Sequence, residues 1–350
     1  MVLRVEDIKK NLWIIVKDNR SGEVQTVVHL NDTKIGTTSS SRDFEVTGEL
    51  TSRDVTVARD ISVAGRSMGS LDFVPIVSTG RLTLTSAVPI TTTDVVSGST
   101  LYYTPSAGAQ ITLWDGSAWR LISFEEKSLP VNTLAANTNV DIFGYFNDTT
   151  LSLEYGSAWT SNTLRSEEIS LFNGVMCKTT NPTRRYIGSI RTTASGFFED
   201  SISKRFVWNA YNQVPRILQI FESTDSWTYN TAAFRPSRGT TNNCFEYIAG
   251  DVATALRAQA FSLASCTAGL SYAASGIGID STTVNSAQTW GANVTTVAFV
   301  LISTYKGYLS AGYHTITWLE CGGGVATLSF YGDVGQPTLY QFGMYGEIMG

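Results

Sequence analysis

The sequence predicts an all-β protein, and three observations carry that expectation. Short apolar runs that alternate with polar residues recur along the chain, bounded by Gly, Asn, Asp, Ser and Pro. In the long C-terminal part no stretch joins a helical apolar period to a capping residue at its start. Asp115-Gly116 separates Ile111-Thr112-Leu113-Trp114 from Trp119-Arg120-Leu121-Ile122, and Asp-Gly readily takes the positive backbone dihedrals of a tight hairpin turn. A chain of 350 residues exceeds the ~100–150 typical of one domain, so several are expected.

Residues 1–43 form an N-terminal unit. Its apolar run Leu12–Val16, the turn from Asp18 to Gly22 and the run Val24–Leu30 make a hairpin. In residues 44–70 apolar residues sit two apart, as in Phe44 and Val46, Val55 and Val57, Ile61 and Val63. Strands this short bury too little to stand alone and gain a core from neighbouring repeats or chains, which predicts a trimeric neck; a meander within one domain is the competing reading. Gly65 to Ser70 reads as a linker. Residues 71–125 make a small β-domain around the Asp-Gly hairpin, whose Trp114 and Trp119 either stack across the strands or face a sugar ring. Residues 126–350 read as a jelly-roll-like β-sandwich, with strand-like runs at 139–146, 150–155, 168–172, 185–192, 206–211, 217–222, 245–249, 252–264, 294–303, 314–320, 325–331 and 338–344. Between Arg257 and Lys306 the one charged side chain is Asp280, which predicts packing within the domain or against neighbouring subunits.

Charged residues are 16% of the chain against a typical ~25%, so hydroxyls and amides carry much of its solubility, as in extracellular β-proteins and fibres. A pI near 5.2 argues against bulk nucleic-acid binding. Cys177, Cys244, Cys266 and Cys321 are widely spaced, and His29 and His314 lie far apart, so no zinc site or cofactor is expected and the thiols read as small buried hydrophobes. The first residues do not read as a signal peptide. The longest apolar run, Val297–Ile302, is far short of the ~20 residues of a membrane span, so no membrane insertion is expected.

The stretch from Thr183 to Arg216 joins the dense basic cluster to the dense aromatic one. From Lys178 to Arg216 there are seven basic residues (Lys178, Arg184, Arg185, Arg191, Lys204, Arg205, Arg216) and two acids (Glu199, Asp200), a balance of +5 in a chain of net charge −5. Alternation places Tyr186, Gly188 and Ile190 on one face of a strand and Arg185, Ile187, Ser189 and Arg191 on the other, the charged face being wet or paired.

The phrases RRYIGSIRTT, KRFVWNAYNQVPR and ESTDSWTY, preceded by LYYTPSAGAQITLWDGSAWRLISF at 101–124, resemble a module of tailed-bacteriophage virion proteins of the tail-fibre, spike or head-fibre type, over residues 99–290. The resemblance implies a β-rich trimeric appendage assembled in the host bacterial cytoplasm and carried on the virion. It implies attachment to other virion proteins through residues 1–43, and supplies no catalytic residues. It leaves two functions open: a fibre or spike that contacts the host surface, or a capsid-decoration or head-fibre protein that stabilises the shell. For Arg184, Arg185, Arg191, Lys204 and Arg205 the leading expectation is inter-strand or inter-subunit salt bridges with Glu199, Asp200 or Glu222. Binding of anionic host glycan comes second and nucleic acid last.

No enzymatic role is expected. The acid pairs Glu125-Glu126, Glu167-Glu168 and Glu199-Asp200 are strand neighbours that point to opposite faces, so none is by itself a catalytic couple. The motifs H-E-x-x-H and the P-loop are missing, and Gly322-Gly323-Gly324 reads as a turn before a strand. Loops at one end of a sandwich are free to vary, and the turn-rich segments 223–243 and 269–288 place Arg235, Arg238 and Tyr272 as candidate receptor contacts.

Overall fold

The computed structural model describes residues 76–131, 134–251, 254–269, 271–293 and 296–350, and before them the backbone of strands Val2–Ile8, Asn11–Lys17, Val24–Asn31, Ile61–Val63 and Arg66–Met68. The chain divides into two compact units, Met1–Asp72 and Phe73–Gly350. In the first, Asn11–Lys17 pairs antiparallel with both Val2–Ile8 and Val24–Asn31, so the expected hairpin is present with one more strand beside it. Ile61–Val63 pairs with Arg66–Met68, so part of the segment expected as a linker is strand. The apolar pairs from Phe44 to Val57 lie outside the described residues.

The second unit is all-β, its one described helical turn being the 3-10 turn Ser237–Gly239. Gly80–Thr83, Thr100–Pro105 and Lys127–Pro130 form a three-stranded sheet, and Gln110–Trp114 and Trp119–Ser123 form the Asp-Gly hairpin. Trp114 and Trp119 are register partners and meet edge to face at 5.6 Å, with Phe172 against Trp114 at 5.2 Å. Leu82, Tyr103 and Ile111 share one buried cluster with Val140, Ile142, Ile187, Ile190 and Phe198. The expected separation of residues 71–125 from residues 126–350 is therefore corrected: such small sheets bury too little alone, and the strands from Asn139 onward complete their core.

A 14-stranded sheet runs through Thr150–Tyr155, Asn139–Asn147, Asn181–Ala194, Phe197–Asp200, Lys204–Arg205, Cys244–Ala249, Gly312–Gly324 and Ser271–Ile279. A six-stranded sheet places Gly343–Met349 between Pro215–Phe221 and Thr254–Cys266, whose other edge pairs with Phe299–Leu309. The two sheets pack face to face: Leu218, Leu256, Ala258, Met344 and Ile348 of the six-stranded sheet share a core with Phe245, Tyr247, Ile277, Ile316 and Trp318 of the larger one. Pairing is antiparallel except between Lys204–Arg205 and Cys244–Ala249.

Three local expectations are corrected. Ser271–Ile279, taken as loop, is a strand paired along Gly312–Gly324; its Ala, Ser and Gly residues hide the strand pattern but allow close approach, and a Cβ on Gly278 would stand 2.1 Å from the Ser281 carbonyl oxygen. Gly322 and Gly323 end the strand Gly312–Gly324 instead of forming a turn, with a Gly322 Cβ position 2.4 Å from the Tyr229 carbonyl oxygen. The last strand lies at Gly343–Met349, beyond the run expected at 338–344.

The strict alternation expected for Arg185–Thr192 is also broken. Ile142 pairs with Gly188 and Phe143 with Tyr186, which leaves Ile187 as the extra residue of a β-bulge. Tyr186 and Ser189, three apart, consequently meet hydroxyl to hydroxyl at 2.6 Å, and Ile187 and Ile190 enter the same core.

Candidate functional site

The strand Asn181–Ala194 is buried on both faces from Arg185 to Thr192, so its charged face is paired and not wet. Arg185 is 1% exposed, and its Nη1 donates to the carbonyl oxygens of Val77 (2.7 Å) and Thr112 (2.6 Å) while its guanidinium lies over the Tyr211 ring. Arg191 donates to the side-chain oxygens of Asn139 (2.7 Å) and Asn162 (3.2 Å) and lies 3.8 Å from the centre of the Tyr313 ring. Arg184 pairs with Glu154 at 2.8 Å and stacks on Tyr145. Lys204 reaches Glu246 (3.4 Å) and Glu199 (3.7 Å). Asp200 holds Arg205 (3.1 Å) on one oxygen and Arg216 (2.8 Å) on the other. These inter-strand pairs lie within a single chain. Glu199 and Asp200 serve as two of the expected acids, whereas Arg185 and Arg191 bond to neutral oxygens, with the buried Arg185 Nε left without a partner.

Beside this lies a polar network that the basic count does not reveal. The Asp141 carboxylate is 2% exposed and accepts from Ser189 Oγ (2.6 Å), Arg165 Nε (2.9 Å) and Trp159 Nε1 (3.1 Å). Arg165 Nη2 donates to the Gly250 carbonyl at 2.6 Å, and its guanidinium stacks on Trp159 at 4.4 Å. Burial pushes the Asp141 carboxyl above the ordinary aspartate range, while Arg165, Ser189 and Trp159 pull it back. Ser189, Arg165 and Trp159 all donate to this one carboxylate, so the network locks the loop at 157–167 onto the sheet.

The candidate receptor contacts divide. Arg235 donates through Nε to Glu320 Oε1 at 2.8 Å and lies 3.7 Å from the centre of the Tyr229 ring. Glu320 is 0% exposed, and its other oxygen accepts from Trp227 Nε1 at 2.6 Å. Burial holds the Glu320 carboxyl above the ordinary glutamate value against the pull of Trp227 and Arg235. Arg238 donates to Glu222 at 2.8 Å, where Asn243 and the Thr224 amide also donate. Burial opposes ionisation there, but these hydrogen bonds outweigh it and bring Glu222 below its ordinary value. Glu222 thus pairs with Arg238 and not with the basic cluster, and Arg235 and Arg238 anchor the segment around the 3-10 turn by neutralising buried acids. Tyr272 stands apart on strand Ser271–Ile279, 38% exposed, with its ring against Gly323.

His314 donates from Nδ1 to Asp280 (2.7 Å) and from Nε2 to the Ser310 carbonyl (2.8 Å). Burial disfavours the imidazolium, yet Asp280 and the Ser310 carbonyl outweigh it and hold its pKa above the ordinary value. With both nitrogens committed, this imidazole has no free position from which to act as a base. A crevice of about 100 Å³ is lined by Trp208, Gln213, Asp251, Thr254, Ala255 and Met349. No group of three or more His, Cys, Asp or Glu side chains comes together among the described residues, and none of their helices is long and apolar enough to cross a membrane. No protein-family model matches the chain, and no curated protein does.

Proposed function

We propose that the chain is a non-catalytic structural component of a tailed-phage particle, a tail fibre or spike displayed on the virion and contacting the host surface. Residues 1–43 attach it to other virion proteins, the C-terminal sandwich is of jelly-roll type, and three copies associate. The observation that carries this reading is the fate of the charged and aromatic residues in the phrases that resemble phage appendages. Arg185, Arg191 and Arg205 are buried against partners in the same chain, and Trp227 is bonded to Glu320. The resembling phrases therefore specify a rigid scaffold, as an appendage requires, and leave host recognition to surfaces outside them, Tyr272 among the candidates.

Gold-labelled antibody against the purified chain, applied to intact particles, tests the proposal. Label confined to the tail tip supports the fibre or spike. Label spread over the head replaces it with the capsid-decoration reading. Particles that carry no label overturn both.

A further inference from the structure

We infer that the outer face of the six-stranded sheet is the surface on which a neighbouring copy of this chain packs. The inference rests on the self-association in the proposed function and names the contact. The pairing registers define the face. Arg257 lies between Glu347 and Lys306, with Ile217 beyond Glu347, and these form one row. The next rows, through Tyr345–Gln259, Phe221 with Phe261–Ile302, and Leu263–Val300, carry no charge. Phe221 is 47% exposed, Tyr345 47%, Ile302 44% and Val300 49%, while the alternate residues Leu256, Ala258 and Ala260 are buried in the sandwich. Phe261 stacks on Tyr345 at 5.4 Å, so the apolar rows are continuous.

Four strands ~4.8 Å apart, spanning about nine residues at ~3.4 Å each, give a flat footprint of about 600 Å². That is of the order of the ~800 Å² each partner contributes to an ordinary stable interface, and three of its four rows are uncharged. The edge beside this face does not offer strand addition. Gln288 exchanges side-chain hydrogen bonds with the Lys306 backbone, and Thr289 bridges Thr304, so the strand Phe299–Leu309 is capped along its free side. Contact through the face remains. Its charges, Glu347 against Arg257 and Lys306, are confined to one end and set up no strong field of either sign, which selects a neutral apolar partner. A copy of the chain brings such rows at matching concentration.

The test uses the full chain at tens of micromolar, by light scattering after size exclusion. Wild type is expected to be multimeric, Ile302→Arg and Val300→Arg to weaken association at least tenfold, and Leu171→Arg, exposed (70%) but on the hairpin strand Ile169–Phe172, to leave it unchanged. Hydroxyl-radical labelling of Tyr345 reads the face directly if residues 1–72 also hold copies together: slow in wild type, fast in Ile302→Arg. A monomeric wild type, or Tyr345 labelled at the same rate in both proteins, overturns the inference. Gold label on particles together with a monomeric chain would remove this contact and leave the virion assignment standing.

Discussion

Replacing Arg235 by Ala removes the guanidinium from a carboxylate that has no access to water: Glu320 is 0% exposed and keeps the Trp227 indole as its remaining side-chain donor. Breaking one side of a buried pair costs about 3–5 kcal/mol, and partial exposure of the partner reduces that. The Arg235 side chain is 32% exposed, so solvent enters where it stood; the expected loss is about 2–3 kcal/mol, or about 4–8 °C in Tm. The loss carries a pH signature. The Glu320 carboxyl already titrates above its ordinary value of 4.5, and removal of Arg235 raises it further. A folded-state value above the unfolded one means that the penalty is largest above the folded pKa and shrinks as the pH falls toward 4.5. Thermal melts of wild type, Arg235→Ala and Arg235→Ala with Glu320→Gln, between pH 5 and 8, measure it. The double variant should melt above the single one at pH 8. A single variant that melts within 1 °C of wild type, or whose deficit is the same at every pH, refutes the reasoning and returns Arg235 to the pool of dispensable surface residues.

Further expectations concern the rest of the scaffold. Because the His314 pKa is raised, its stabilisation is complete below about pH 6.5 and is lost as the pH rises through the folded value; Asp280→Asn should flatten that slope in Tm-versus-pH profiles, and identical profiles would count against the pair. Asp141→Asn leaves Arg165 without its counter-charge and should cost about 2–4 kcal/mol in urea unfolding; an unchanged midpoint would dismiss the network as incidental. Gly188→Ala places a Cβ 2.2 Å from the Trp208 carbonyl oxygen, so soluble yield should collapse, and a variant that melts near wild type would show that the strand can shift.

The all-β class was legible because alternation and turn residues are local signals, and the hairpin at Asp115-Gly116 sits where those signals place it. Ser271–Ile279 escaped because a strand covered on both faces at short distance needs Ala, Ser and Gly, whose pattern is that of a loop. The pairing of Arg205 with Asp200 was legible as composition, since surplus Arg beside Glu199 and Asp200 requires partners nearby; the carbonyl and amide partners of Arg185 and Arg191 and the Glu154 partner of Arg184 were not. The bulge at Ile187 was not, since one inserted residue reverses every later side chain without changing the sequence pattern. Arg165, close to Asp141 only after folding, carries no local mark that distinguishes it from a surface arginine.

The position of Gly343–Met349 has a consequence for synthesis. The ribosome makes Pro215–Phe221 and Thr254–Cys266 first, yet these strands meet each other only through the one that comes some 80 residues or more after them. Until it arrives, two apolar strands hold open backbone edges toward whatever is near, and in a polysome the nearest candidates are nascent chains of the same sequence. Yield of native protein should therefore depend on translation rate and temperature more steeply than the stability of the finished sandwich would suggest.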